Sequence, residues 1–170
     1  MILALLAALA LQSSTPPGAP PDPASVQADS AARGRAAHGA AATLDRMHAA
    51  ASRADGAVYF DQFAPDARFI GTDNTERWGL AQFRAYAEPF FAQGKGWTYR
   101  PRQRSLTVSD DLAWFDELLD NDAYGALRGS GVLSRHGPDG VWKIEQYVLS
   151  FAVPNDKARA VVGLIAAPIP

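Results

Sequence analysis

Two adjacent carboxylates, Asp116 and Glu117, stand in the middle of an apolar run, Ala113-Trp114-Phe115-Asp116-Glu117-Leu118-Leu119. A carboxylate among apolar side chains loses hydration. Its proton affinity rises, which suits it to act as a general base. Adjacent residues of a strand point to opposite faces, so at most one of the two can enter an interior site and they cannot form a dyad. Such a base needs a companion that steadies negative charge developing on an oxygen, and Tyr99 and Gln146 are the candidates. The competing use of either carboxylate is an ion pair, with Arg128 or with an arginine of the Arg100, Arg102, Arg104 series. Those three alternate along one strand face and could form a cross-strand ladder or an anion site.

Aromatic residues supply the other binding candidates. Trp97 and Tyr99 share the face opposite the arginines and could line a cavity with Tyr59, Phe63, Phe83 and Phe90, or simply fill a core. Asp73 sits in a polar loop, where it could reach a cavity mouth or cap a turn. Arg128 and Gln146 complete the binding set. Within Val141–Val153, Trp142, Ile144, Gln146, Val148 and Ser150 share one face, which would aim Gln146 at the pocket. Gly129-Ser130-Gly131 lies inside a strand pattern, so its glycines are expected to permit close backbone approach or a bulge.

Several chemistries have no support in the chain. There is no cysteine, hence no thiolate ligand, disulfide or lipid-anchoring cysteine. His38, His48 and His136 have no metal-ligand spacing, so no metal is expected. No phosphate loop or nucleophile elbow occurs, and no cofactor is expected. A net charge of −2 offers no basic field for nucleic acid.

The elements that must position these residues follow from periodicity. Helices are expected over Arg35–Arg53, Asp55–Phe63 and Leu80–Ala92, with a short strand at Ala67–Ile70 between the second and third. Pro89 should kink or shorten the third helix. The period then changes to two, giving strands at Trp97–Val108, Leu112–Leu119, Ala126–Arg135 and Val141–Val153. Helices ahead of strands imply an α+β fold. Residues 1–11 are uninterruptedly apolar, too short for the about 20 residues that span a bilayer, and match a signal-peptide core. An exported protein, periplasmic or secreted, is the expectation, with a cytoplasmic one the alternative. Residues 12–34 read as a disordered Pro/Ala/Ser-rich linker, residues 35–154 as the folded domain and residues 155–170 as a tail or short helix.

This element order is accompanied by Thr72-Asp73-Asn74-Thr75-Glu76-Arg77-Trp78, Gly94-Lys95-Gly96-Trp97-Thr98-Tyr99, Ala113-Trp114-Phe115-Asp116-Glu117, Arg128-Gly129-Ser130-Gly131-Val132-Leu133 and Trp142-Lys143-Ile144. Together they resemble the SnoaL-like group of the nuclear transport factor 2-like (NTF2-like) superfamily. The resemblance implies a cone-shaped fold, with a curved, mainly antiparallel sheet packed on N-terminal helices around a deep cavity, and a homodimer through the outer sheet face. Relatives include isomerases, cyclases, dehydratases and binding modules, so fold does not give function. Many carry a polar side chain near the position of Val148, which cannot move protons. Three readings stay open: a binder of a small apolar or amphipathic molecule, an isomerase, dehydratase or cyclase using a pocket carboxylate, and a non-catalytic protein-interaction module.

Overall fold

The computed structural model describes residues 22–167. The apolar segment 1–11 and the first part of the linker lie outside the described residues. Helix α1 spans Pro23–Ser52, beginning well before Arg35. Asp22 caps it by accepting the Ala24 backbone N–H at 3.1 Å, and Pro23 takes the first turn, where a missing N–H costs nothing. The prolines that suggested a linker end there, and the Ala-rich run beyond them favours helix. The later part of α1 packs, through Ala36, Ala40, Leu44, Met47 and Ala51.

Helix α2 covers Gly56–Asp61 and is capped by Asp55, which accepts from Val58 N–H at 3.1 Å. Strand β1 is Phe63–Ile70, longer than its four-residue apolar core suggested, and β2 is a three-residue strand, Arg77–Gly79. Helix α3, Leu80–Phe91, runs through Pro89 and buries Phe83, Ala87 and Phe91, spaced four apart. Strands β3 (Arg100–Ser109), β4 (Leu112–Asn121), β5 (Gly125–His136) and β6 (Val141–Phe151) follow. Trp97 and Tyr99 precede β3 instead of belonging to it.

The six strands form one sheet in the order β2-β1-β6-β5-β4-β3, antiparallel except for β1 against β6. Its inner face packs on α1, α2 and α3, an α+β arrangement. Alternation along β4 is clean: Ala113, Phe115, Glu117 and Leu119 are buried, while Trp114 and Asp116 face outward.

A bulge in β6 breaks that alternation and corrects the parity expected from sequence. Val132 pairs with Gln146 and Leu133 with Ile144, so Glu145 is an extra residue. Trp142 and Ile144 face the core as expected, but beyond the bulge the inward residues are Tyr147 and Leu149. Gln146, Val148 and Ser150 therefore face outward, and Gln146 does not enter the interior. Gly131 pairs with Tyr147, next to the bulge. A Cβ there would overlap the Gln146 carbonyl oxygen, so the close approach of β5 and β6 requires glycine.

Helix α4, Ala158–Ala166, has no buried residue, and Val162, Leu164 and Ile165 are largely exposed. Truncation after Lys157 is expected to leave the thermal unfolding midpoint within a few degrees of the full chain, since little apolar area is lost from the core. Differential scanning calorimetry of the two chains checks this; a large fall would show that α4 is part of the folded unit.

Candidate binding site

The interior centres on Glu117, which is fully buried at the middle of β4. Its Oε1 accepts the Tyr147 hydroxyl of β6 at 2.9 Å and lies 2.7 Å from Nε2 of His48 on α1. Its Oε2 accepts the Arg104 Nε–H of β3 at 2.8 Å. Four elements thus converge on one carboxylate. Burial alone would raise its pKa, but hydrogen bonds and charge from His48 and Arg104 outweigh that and hold the carboxyl below its ordinary value. An ionised carboxylate only accepts, so His48 must carry its proton on Nε2 in this pair. Arg104 also donates through Nη1 to Asp45 at 2.8 Å, while its Nη2 is buried without an acceptor. Burial, then the Glu117 charge and hydrogen bond, push the Tyr147 hydroxyl well above its usual pKa, so it stays a donor.

Gly129 makes room for this cluster, because a Cβ there would overlap the Tyr147 hydroxyl and press on Glu117. The Gly-Ser-Gly segment of β5 thus provides close approach at both of its glycines.

The deep part of the cone is largely filled. Tyr59 contacts Phe60, Phe63, Phe83, Phe91 and Trp97 with ring centroids 5.0–6.0 Å apart. A void of about 10 Å³ remains beside His48, Tyr59, Tyr99 and Tyr147, barely room for one water. The usable space lies further out. A pocket of about 280 Å³ opens beside α3 and the loop before β3, walled by Phe69, Trp78, Phe83, Tyr86, Phe90, Trp97, Tyr99, Tyr124 and Leu149. Thr72, Glu76 and Lys95 add polar side chains to its lining. Phe69, Trp97 and Tyr99 border both spaces and separate the pocket from the Glu117 cluster.

The sequence-derived candidates are divided by this geometry. Trp97 and Tyr99 line the pocket; Tyr59 borders the inner void. Glu117 is inside but lines neither space. Asp116 is exposed on the outer sheet face opposite Ser105 and Ser130, which removes it from any interior chemistry. Arg128 is exposed and belongs to the same outer face; its pairing with Glu117 is replaced by Arg104. Gln146 is turned outward by the bulge. Asp73 is exposed and accepts from Thr75 N–H at 2.8 Å and from the Thr75 hydroxyl at 2.6 Å, holding its own turn without lining the pocket. The arginine ladder also divides. Arg102 is a bulge residue bonded to Asp120, Arg100 bonds Asp122, and only Arg104 turns inward.

His48 and Tyr147 are the polar residues that periodicity did not assign to the site. His48 does fall on the apolar stripe of α1 with Leu44, Met47 and Ala51, and a polar side chain on a buried stripe signals a buried partner. Tyr147 left no such signal, because the bulge reversed its face.

A SnoaL-like domain model matches residues 40–154. The chain belongs to the SnoaL-like family of the NTF2-like superfamily, and the six-stranded sheet over helices is that fold. No curated protein sequence matches. Among solved structures, one provisionally described as a dehydratase of the NTF2-like family from Streptomyces avermitilis superposes with a TM-score of 0.60 at 12% identity, over 71% of this chain and 98% of that one. An NTF2-like protein of unknown function from Pseudomonas putida KT2440 gives 0.58 at 16%, over 75% and 92%. One provisionally described as a ketosteroid isomerase from Shewanella frigidimarina NCIMB 400 gives 0.55 at 19%, over 66% and 94%. At these identities the likeness concerns the fold.

Proposed function

We propose that this SnoaL-like domain binds a small apolar or amphipathic molecule in the aromatic pocket without turning it over. The observation that carries this reading is the partition of the interior. A pocket of about 280 Å³ walled by aromatic rings is open, the common make-up of a small-molecule site. The buried carboxylate lies behind those rings with both oxygens engaged. The provisional isomerase and dehydratase descriptions of similar structures keep an enzyme in view. A general base must reach its substrate, however, and Glu117 lines no open space while its charge is already balanced by Arg104. Glu117 is better suited to fixing the positions of Tyr147, His48 and Arg104 across four elements.

The neutral fluorophore N-phenyl-1-naphthylamine tests this reading. The full chain should give a saturable emission gain, and Thr72→Trp, which fills the pocket, should abolish it. No saturable gain, or a gain unchanged in the variant, contradicts the reading.

We infer also that two copies pair through the outer sheet face. Leu112 and Trp114 are about half exposed there, at 51% and 50%. Exposed Asp116 and Arg128 have no ion-pair partner among the described residues, and a two-fold axis would let each meet its opposite on the other copy. Trp114→Glu should convert a dimer to a monomer in analytical ultracentrifugation; a wild-type chain that sediments as a monomer contradicts the pairing. Cleavage after the apolar residues 1–11 would deliver this domain outside the cytoplasm.

A further inference from the structure

The polar groups of the pocket carry a charge preference. Glu76 is half-buried in its lining, and its Oε2 accepts the Asp73 backbone N–H at 3.3 Å. Among the described residues it has no ion-pair partner. The other partly or fully buried glutamates differ: Glu117 is met by Arg104 and His48, and Glu145 by His136 at 2.7 Å. Glu76 is therefore a carboxylate placed in an aromatic recess with its charge unanswered.

The rings around it are suited to an opposite charge. Trp78 stacks on Tyr86 at 4.8 Å, and Tyr86 meets Phe90 at 5.5 Å. Burial first, then Tyr124, Glu76 and Tyr86, push the Tyr99 hydroxyl up to about 12, so these polar groups lie within electrostatic reach of one another. The faces of all these rings are electron-rich. Lys95 is the opposing charge in the lining. It is exposed, and its Nζ donates to Gln93 at 2.9 Å, so water screens it more than it screens Glu76. An anion would have to lie against Glu76 and the ring faces, whereas a cation with apolar surface gains from both.

Building on the ligand-binding reading, we propose that the pocket takes an organic ammonium ion: a protonated or quaternary amine on a small apolar body, with its charge against Glu76, beside the stacked Trp78–Tyr86 pair and Tyr99. The test uses three probes of similar shape, phenyltrimethylammonium, neutral tert-butylbenzene and anionic benzoate, followed by quenching of tryptophan fluorescence. The full chain should bind the cation about tenfold tighter than its neutral isostere, most of it from the charge of Glu76 and the rest from the ring faces. Glu76→Gln keeps an acceptor for Asp73 N–H and should remove most of that advantage while leaving tert-butylbenzene unchanged. Equal or tighter binding of tert-butylbenzene or benzoate overturns the ammonium assignment, as does a Glu76→Gln variant that keeps the preference, and each leaves the pocket reading intact. Failure of all three probes to bind overturns that reading and this inference with it.

Discussion

Replacing Glu117 with alanine should lower the unfolding free energy by about 3–5 kcal/mol, the usual cost of removing one partner from a buried ion pair. The loss has three parts. Arg104 would keep its ion pair with exposed Asp45 but lose its buried partner, adding to the guanidinium nitrogen that already has no acceptor. The Tyr147 hydroxyl and the His48 ring would each lose their carboxylate at a buried position. A cavity would also open in the centre of β4. Asp116→Ala, one residue away on the exposed face, should change stability by less than about 0.5 kcal/mol. Urea unfolding of the two variants beside the parent checks the contrast, and similar effects at both positions would contradict the assigned roles.

The same carboxylate gives a pH dependence of defined sign. The folded-state pKa of Glu117 lies below its unfolded value, so its stabilisation is fully present above the unfolded value of about 4.3. It is lost as pH falls from there through the folded pKa. Glu145, lowered by Ser134 and His136 against the opposing effect of burial, acts in the same direction. The full chain should therefore lose stability with a steeper slope below about pH 4.3 than Glu117→Gln, which has no carboxylate to protonate at that position. Parallel slopes would mean that Glu117 is not held ionised.

Gly131→Ala is the second substitution expected to have a large effect. The added Cβ would meet a backbone carbonyl on the neighbouring strand, which cannot rotate away as a side chain could. Relief requires β5 and β6 to move apart where Glu145 is already an extra residue. Crowding of this kind costs about 1–3 kcal/mol or more. Because the bulge sets which face Tyr147 presents, the substitution should also disturb the Tyr147–Glu117 bond. Thermal and urea unfolding measure the cost, with Ser130→Ala as the neutral neighbour; equal stabilities would show that the strands tolerate separation there.

These two positions also mark where the chain was readable before its structure and where it was not. The four long strands and α3 are announced by turns and by regular periods, and β4 keeps its alternation throughout, which is why the opposite fates of Asp116 and Glu117 could be anticipated. In β6 one extra residue reverses the alternation, and nothing in Val141–Phe151 marks Glu145 as that residue. An unbroken alternation aims Gln146 inward and so turns Tyr147 outward, each the reverse of its place. The glycines of β5 hold part of the missing information, since Gly131 permits the close approach of β5 to Gln146 beside the bulge. The start of α1 was obscured by a different cause. Prolines up to Pro23 share their composition with the residues that follow, but a proline in the first helical turn opens a helix. The apolar pattern of α3 leaves open whether Phe90 lines a cavity or fills a core; Phe90 and Tyr86 are 41% and 48% exposed, and both wall the pocket. Periodicity cannot distinguish a ring that fills space from one that borders it.

The four tryptophans of the chain offer the most direct test of the pocket as a binding site. Trp78 and Trp97 line it, whereas Trp114 lies on the outer sheet face and Trp142 packs against α1 near Gly39. Titration of the ¹⁵N-labelled full chain with neutral 1-naphthol should shift the indole N–H signals of Trp78 and Trp97 saturably and leave those of Trp114 and Trp142 in place. Unmoved signals for Trp78 and Trp97, or shifts confined to Trp114, would contradict it.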